Sequence, residues 1–189
     1  AANSGRVSVT IARNGDLVGD MYVELLSAAA SSNTFAGAPS CWVAERAIAS
    51  AELSIGGQRI DKHYQRWWRL YSELYLDESK KANWGKMTTA LTGMTVYLPL
   101  IFFFNRNPGL FLPLIALQYH EVRIDFDLAS DFTTYLSSTV FKVWANYVYL
   151  DTEERRRFAQ KGHEYLIEQV QHTGSDTVTA GSTSNKRLS

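Results

Sequence analysis

Residues 121–128, Glu-Val-Arg-Ile-Asp-Phe-Asp-Leu, alternate between charged and apolar side chains without a break. A period of two puts Val122, Ile124, Phe126 and Leu128 on one side of an extended chain, and Glu121, Arg123, Asp125 and Asp127 on the other. That is the pattern of a strand with one buried face. The same alternation sets Val7, Val9 and Ile11 against Arg6, Ser8 and Thr10. Runs rich in Val, Ile, Leu, Tyr, Phe and Trp at 17–26, 48–55, 94–104, 139–150 and 165–171 read as further strands. Asn14-Gly15-Asp16 has turn chemistry, so 7–11 and 17–26 are expected to form a hairpin; Gly56-Gly57 closes the 48–55 strand. One stretch, 61–77, changes period: Tyr64, Trp67, Trp68, Tyr71, Leu74 and Tyr75 fall at helical spacing opposite Gln65, Arg66, Arg69 and Glu73. It predicts an amphipathic helix whose aromatic face lies on a sheet. A short helix should follow Asp151, with Glu154 placed to complete a capping box. Many strands, decorated loops and few helices predict an all-β fold, a sandwich or jelly roll.

The chain has 189 residues, enough for one domain that buries a core without staples. Cys41 is the sole cysteine, which excludes an intrachain disulfide framework. Lys plus Arg and Asp plus Glu both number 19, so no global field draws in nucleic acid or anionic lipid. The most apolar runs, 96–104 and 108–117, are each about half the length of a bilayer-spanning helix. They also carry Pro99, Pro108 and Pro113, so they read as buried extended segments rather than a transmembrane span. Ala1-Ala2-Asn3-Ser4-Gly5 lacks the basic and apolar regions of a signal peptide, and no Asn-x-Ser/Thr acceptor occurs. Residues 27–40 form a small-residue loop, and 173–189 have the composition of a linker or flexible tail. A strand so close to the first residue leaves a sheet edge without an evident partner, the signature of a piece of something longer.

Catalytic constellations are sparse. His63, His120, His163 and His172 are scattered; Ile124 and Ile167 stand where a His-Glu-x-x-His helix would need its second histidine. With a lone cysteine as well, no metal site and no cofactor are expected. Glu121 and Asp125 could serve as a glycosidase acid/base pair, but the simpler reading is the solvated face of a strand with Arg123 as charge partner. Ser40 and Cys41 have no nucleophile elbow, and Gly56-Gly57 is too short to cradle a phosphate. Arg155-Arg156-Arg157 after Glu153-Glu154 suits a helix dipole. Trp67, Trp68, Tyr71, Tyr75 and Trp84 interleave with Arg66, Arg69, Lys80 and Lys81; such a set can stack sugars or bases, and at helical spacing it is more often core. No catalytic, cofactor or metal residue is assigned.

Three stretches carry a family resemblance: 52–64 (ELSIGGQRIDKHY), 97–122 (YLPLIFFFNRNPGLFLPLIALQYHEV) and 149–171 (YLDTEERRRFAQKGHEYLIEQVQ), joined by Arg13-Asn14-Gly15-Asp16-Leu17 within 9–26. Together they resemble the major capsid proteins of nucleocytoplasmic large DNA viruses, nearest to those infecting algae, over about residues 7–171. The resemblance implies a double jelly roll that forms homotrimers, with six rolls making a pseudo-hexagonal capsomer of an icosahedral shell. It implies that 1–162 are the first jelly roll, lacking its first strand, that 163–172 are a strand leading into an absent second roll, and that 173–189 are a linker. The expected partners are other copies of the chain and minor capsid proteins, with no specific nucleic acid and no catalysis. Assembly in the host cytoplasm and residence in the virion follow from the same likeness. In that setting 61–63 and 105–109 are expected to be structural turns, and the loops at 27–40 and 77–95 to face the outer surface or a neighbouring subunit. A jelly-roll carbohydrate-binding module using the 67–84 aromatics is the alternative.

Overall fold

The computed structural model describes residues 1–27, 42–89 and 94–175. Alternating apolar side chains need a second layer to bury them, and the chain supplies two antiparallel sheets packed face to face. In chain order the elements are β1 (Arg6–Thr10), β2 (Leu17–Ser27), α1 (Val43–Ala47), β3 (Ile48–Ile55), β4 (Gln58–Tyr64), α2 (Gln65–Leu74), α3 (Glu78–Thr88), β5 (Thr95–Pro99), β6 (Leu112–Pro113), β7 (Val122–Leu128), α4 (Phe132–Tyr135), β8 (Leu136–Val148) and α5 (Thr152–Gln160).

The first sheet runs β1-β7-β3-β4. In the second, β2 is central: β8 pairs along one side from Leu17 to Ser27, while β5 and β6 share the other, β5 against Tyr22–Leu26 and β6 against Leu17 and Val18. The core between them is continuous, with Val23, Leu25, Leu53, Leu98, Ile124 and Phe126 fully buried. Trp68, Phe102, Phe104 and Phe132 close its ends.

Four expectations are corrected. β1 and β2 are not a hairpin: β1 pairs with β7 in one sheet and β2 with β5, β6 and β8 in the other, so the 11–16 connection crosses between layers. Asp16 anchors that crossing: its N–H donates to the Val148 carbonyl at 3.1 Å, and its carboxylate accepts from the Leu150 N–H at 2.8 Å and from Arg155 at 3.0 Å. Residues 61–63 are not a turn but the middle of β4, which forms the hairpin with β3. Gly56 and Gly57 make that turn, with φ of +59° and +83°, a geometry that a two-residue hairpin loop demands and glycine meets without strain. The 94–104 run is extended only as far as Pro99. Beyond it, Asn105 Oδ1 accepts from Phe102 N–H and its amide donates to the Gly19 carbonyl at 2.7 Å, holding a buried turn at 102–105. Within the expected 105–109 turn, Asn107, Pro108 and Gly109 are exposed and Asn107 Oδ1 accepts from Gly109 N–H at 2.9 Å. Residues 165–171 enter no ladder among the described residues.

Other expectations hold. β7 spans Val122–Leu128, α2 starts at Gln65 with Trp68 fully buried, and α5 is capped by Asp151, whose Oδ1 accepts from Glu154 N–H at 2.8 Å. The aromatic face of α2 is only partly covered, since Leu74 and Tyr75 are exposed.

Candidate functional site

The outer face of the first sheet is a lattice of paired charges dictated by strand register. Arg6 lies opposite Asp127, Ser8 opposite Asp125, and Asp125 opposite Glu52. Arg6 approaches Asp125 at 3.2 Å and Asp127 at 3.5 Å, Arg123 approaches Asp125 at 3.1 Å, and Lys62 bridges Glu52 at 3.6 Å and Asp127 at 3.7 Å. Asp125 is not solvated as the alternation predicts; its residue is only 2% exposed beneath the two guanidinium groups. Burial pushes its carboxyl up, but hydrogen bonds from Ser8 and Arg6 and the charge of Arg123 outweigh burial and hold it below the usual carboxylate range. The same hydrogen bond raises Arg6. A carboxylate held ionised in this way is a poor proton donor, and its oxygens are taken up by Ser8, Arg6 and Arg123. Glu121 itself accepts from Thr10 Oγ1 at 2.7 Å.

A second polar centre sits under the three helices at one end of the sandwich. Glu45 of α1 is buried and accepts a hydrogen bond from Trp84 Nε1 of α3, with Arg69 of α2 at 3.6 Å. Arg69 in turn lies 4.0 Å over the Trp42 ring. Trp84 is 3% exposed and Trp68 fully buried, so these two aromatics are core and not a sugar-stacking platform.

The third centre is on β4. His63 Nε2 lies 2.8 Å from Asp61 Oδ2, both side chains buried, and the imidazole stacks on Phe102 at 4.6 Å. Asp61 Oδ1 accepts from the N–H of Lys62 at 2.8 Å and of Val170 at 3.0 Å. Residues 163–172 lie along this edge, with Gln169 donating to the Ile60 carbonyl, Arg106 pairing with Glu168 at 2.8 Å, and His172 against Tyr64 at 4.8 Å.

The remaining candidates stay apart. His163 accepts or donates at the Phe158 carbonyl, and Arg155 and Arg156 pair with Asp16 and Glu153. Among the described residues no three His, Cys, Asp or Glu side chains gather to hold a metal. No helix among them is long and apolar enough to cross a membrane. Ser40, Cys41 and most of the 27–40 loop lie outside the described residues; of 77–95, α3 is described and 90–93 are not.

Sequence reasoning missed the outer face of the second sheet. Trp144, Tyr22 and Tyr97, from β8, β2 and β5, cross it as a row, with ring centroids 6.5 and 5.7 Å apart. Glu24 accepts from Trp144 Nε1 at 2.6 Å and from Lys142 at 3.2 Å. The row runs into an open groove of about 690 Å³ between this sheet and α3, walled by Tyr97, Pro99, Leu76, Trp84 and Met87. The signal was present in the sequence as aromatic residues at outward positions of three strands, but only pairing reveals that they are neighbours.

Two antiparallel sheets packed face to face, one with a salt-bridged outer face and one with an aromatic outer face, define a β-sandwich. A family model described as "Major capsid protein N-terminus" matches residues 2–151, and the chain belongs to that family. It is similar to the "Major capsid protein" of Paramecium bursaria Chlorella virus 1, at 45% identity over 94% of this chain and 44% of that protein. It is also similar to that of Pyramimonas orientalis virus, at 39% identity over 93% of this chain and 48% of that protein. Among solved structures, a chain of the quasi-atomic model of the PBCV-1 virus capsid superposes with a TM-score of 0.82 at 44% identity, covering 96% of this chain and 47% of that one. The fold is therefore a jelly-roll sandwich with short decorating helices, corresponding to the first half of a double jelly roll. The chain spans less than half the length of these relatives.

Proposed function

We propose that the chain is a structural subunit of an icosahedral virus capsid. In this reading its full-length form makes homotrimers that build pseudo-hexagonal capsomers, and it works by shape and contact without catalysis. The observation that carries the reading is the family match over residues 2–151, joined to the superposition on a chain of an assembled virus capsid. The physics is compatible: a shell subunit needs a rigid sandwich and surfaces that close by symmetry. Residues 1–162 act as the first roll, 163–172 lead toward a second, and 173–189 are the linker. Minor capsid proteins are further partners, and assembly takes place in the host cytoplasm before the protein resides in the virion.

The test is the intact mass of the native gene product, together with its presence in purified particles. A polypeptide about twice this length, in proportion to the relatives, found in large particles supports the reading. A product of this length that sediments as a small species overturns it.

A further inference from the structure

The inward side of the 163–172 segment leaves a groove unfilled. His163, Tyr165 and Ile167 turn toward the sandwich while Glu164, Leu166 and Glu168 face out. About 560 Å³ remains between this segment, the end of α5 and the 112–119 stretch. Phe103 and Leu112, both almost fully buried, belong to its lining, and Ile55, Ile60, Leu117 and Ile167 wall it while packing against the core. Small-molecule sites occupy roughly 300–1,000 Å³ and combine apolar walls with a few polar groups that fix orientation.

The polar groups here are mostly spent. The Tyr165 hydroxyl donates to the Phe111 carbonyl at 3.5 Å, and His163 Nε2 lies 2.7 Å from the Phe158 carbonyl with its ring stacked on that of Phe158. Gln118 and Tyr119, also in the lining, are exposed, and neither carries a carboxylate or an ammonium. Aliphatic walls without free partners penalise a ligand body that carries polar atoms. Lys161 differs: it lines the groove, it is exposed, and its ammonium enters no ion pair among the described residues. No Asp or Glu among the described residues lines the groove; Glu164 is turned outward and Glu168 is paired with Arg106.

We propose that this groove binds an amphiphile with a single alkyl chain and an anionic head, a fatty-acid carboxylate in chemical class. The chain lies on the aliphatic walls, and the carboxylate sits at Lys161. Charge complementarity selects the head, because the groove offers a free ammonium and no opposing carboxylate. The site stands apart from the shell-subunit reading and does not depend on it.

Isothermal titration calorimetry on the whole chain tests this with octanoate, decanoate and decyltrimethylammonium, each below its micelle concentration. Decanoate should bind at one saturable site, about tenfold more tightly than octanoate, because each buried methylene strengthens binding roughly fourfold. Decyltrimethylammonium should bind more weakly than decanoate. Ala159→Trp, at an exposed position of α5 that lines the groove, should fill it and abolish binding. Lys161→Ala should weaken decanoate about two- to fivefold, the range of an exposed ion pair. Far-UV circular dichroism confirms that both variants keep their sheets. An absence of saturable decanoate binding overturns the proposal, and so does binding that survives Ala159→Trp. Equal affinity for the two head groups, or indifference to Lys161→Ala, overturns the anionic assignment.

Discussion

The indole N–H of Trp84, on α3, donates to the carboxylate of Glu45, on α1, and both residues are buried. With Arg69 of α2 at 3.6 Å, one carboxylate ties three helices to the end of the sandwich. Removing the donor alone with Trp84→Phe leaves Glu45 buried with a single distant cation, and should cost about 1–3 kcal/mol in urea unfolding. Trp84→Ala adds a cavity and should cost about 3–5 kcal/mol. Binding to a glycan array, in a Trp84→Phe protein that has lost no stability, would contradict this assignment.

Glu45 also has a pH consequence. Burial pushes its carboxyl above the usual range, and the Trp84 bond and Arg69 charge only partly offset this. An acid whose folded value is raised binds more protons folded than unfolded, so its contribution falls as pH rises above its unfolded value and stays low at neutral pH. Asp125 behaves oppositely: its lowered value gives stability that is present above its unfolded value near 3.8 and lost as pH falls through the folded one. Glu45→Gln should therefore gain on the unaltered chain at neutral pH relative to pH 4, and Asp125→Asn should flatten the acid side of the stability curve. Asp125→Asn should also cost about 2–4 kcal/mol at neutral pH, since it leaves Arg6 and Arg123 facing an uncharged group. Urea midpoints measured from pH 3 to 8 decide both; parallel curves for all three proteins would contradict them.

How much of this was readable beforehand depended on whether a feature is local. β7 was legible because its alternation needs no partner to be seen, and Asp151 because a cap acts within three residues. The β1–β2 hairpin was misread because 14–16 suits a tight turn and a layer crossing equally well; the choice is made by β7 and β8, more than a hundred residues away. β4 was misread because Asp61 and His63 are polar at buried positions, and only their pairing with each other makes that tolerable. Asp125 was placed in water because period two cannot show that Arg6 and Arg123 close over it. The aromatic row failed to register for the same reason: its members are 75 and 47 residues apart, and single strands do not show cross-strand neighbours.

The β1 edge leads to a third prediction. Ile11 N–H donates to the Val122 carbonyl, and Leu128 N–H to the Gly5 carbonyl, so odd-numbered residues of β1 face β7. Alternation then points the N–H groups of Arg6, Ser8 and Thr10 outward, where no strand pairs with them among the described residues. Val7 and Val9 are only half-buried beside them. Such an edge recruits other strands. Thr10→Pro removes one outward donor without taking a ladder bond, and should slow the rise of light scattering on warming while shifting Tm by a few degrees at most. Unchanged scattering at unchanged Tm would show that aggregation starts elsewhere.

At the opposite edge of the same sheet, Asp61 holds the 163–172 segment in place. Its two oxygens are divided between His63 and the N–H groups of Lys62 and Val170. His163, Tyr165 and Ile167 turn inward while Leu166 stands 91% exposed, an extended run with strand-like alternation and no ladder among the described residues. Without pairing, its attachment rests on a few contacts, chiefly Val170 to Asp61, Gln169 to the Ile60 carbonyl and Arg106 to Glu168. In hydrogen exchange the Val170 amide should be protected well beyond that of Leu166, whose N–H makes no comparable contact. Asp61→Ala should remove that protection and leave His63 buried beside a missing carboxylate, at a cost of about 2–4 kcal/mol. Gln169→Ala should loosen the segment with little loss of global stability, because its partner is a surface carbonyl. Equal exchange at Val170 and Leu166 in the unaltered chain would mean that the segment is not anchored at Asp61. Protection that survives Asp61→Ala would place the anchor at Tyr165 and Ile167 instead.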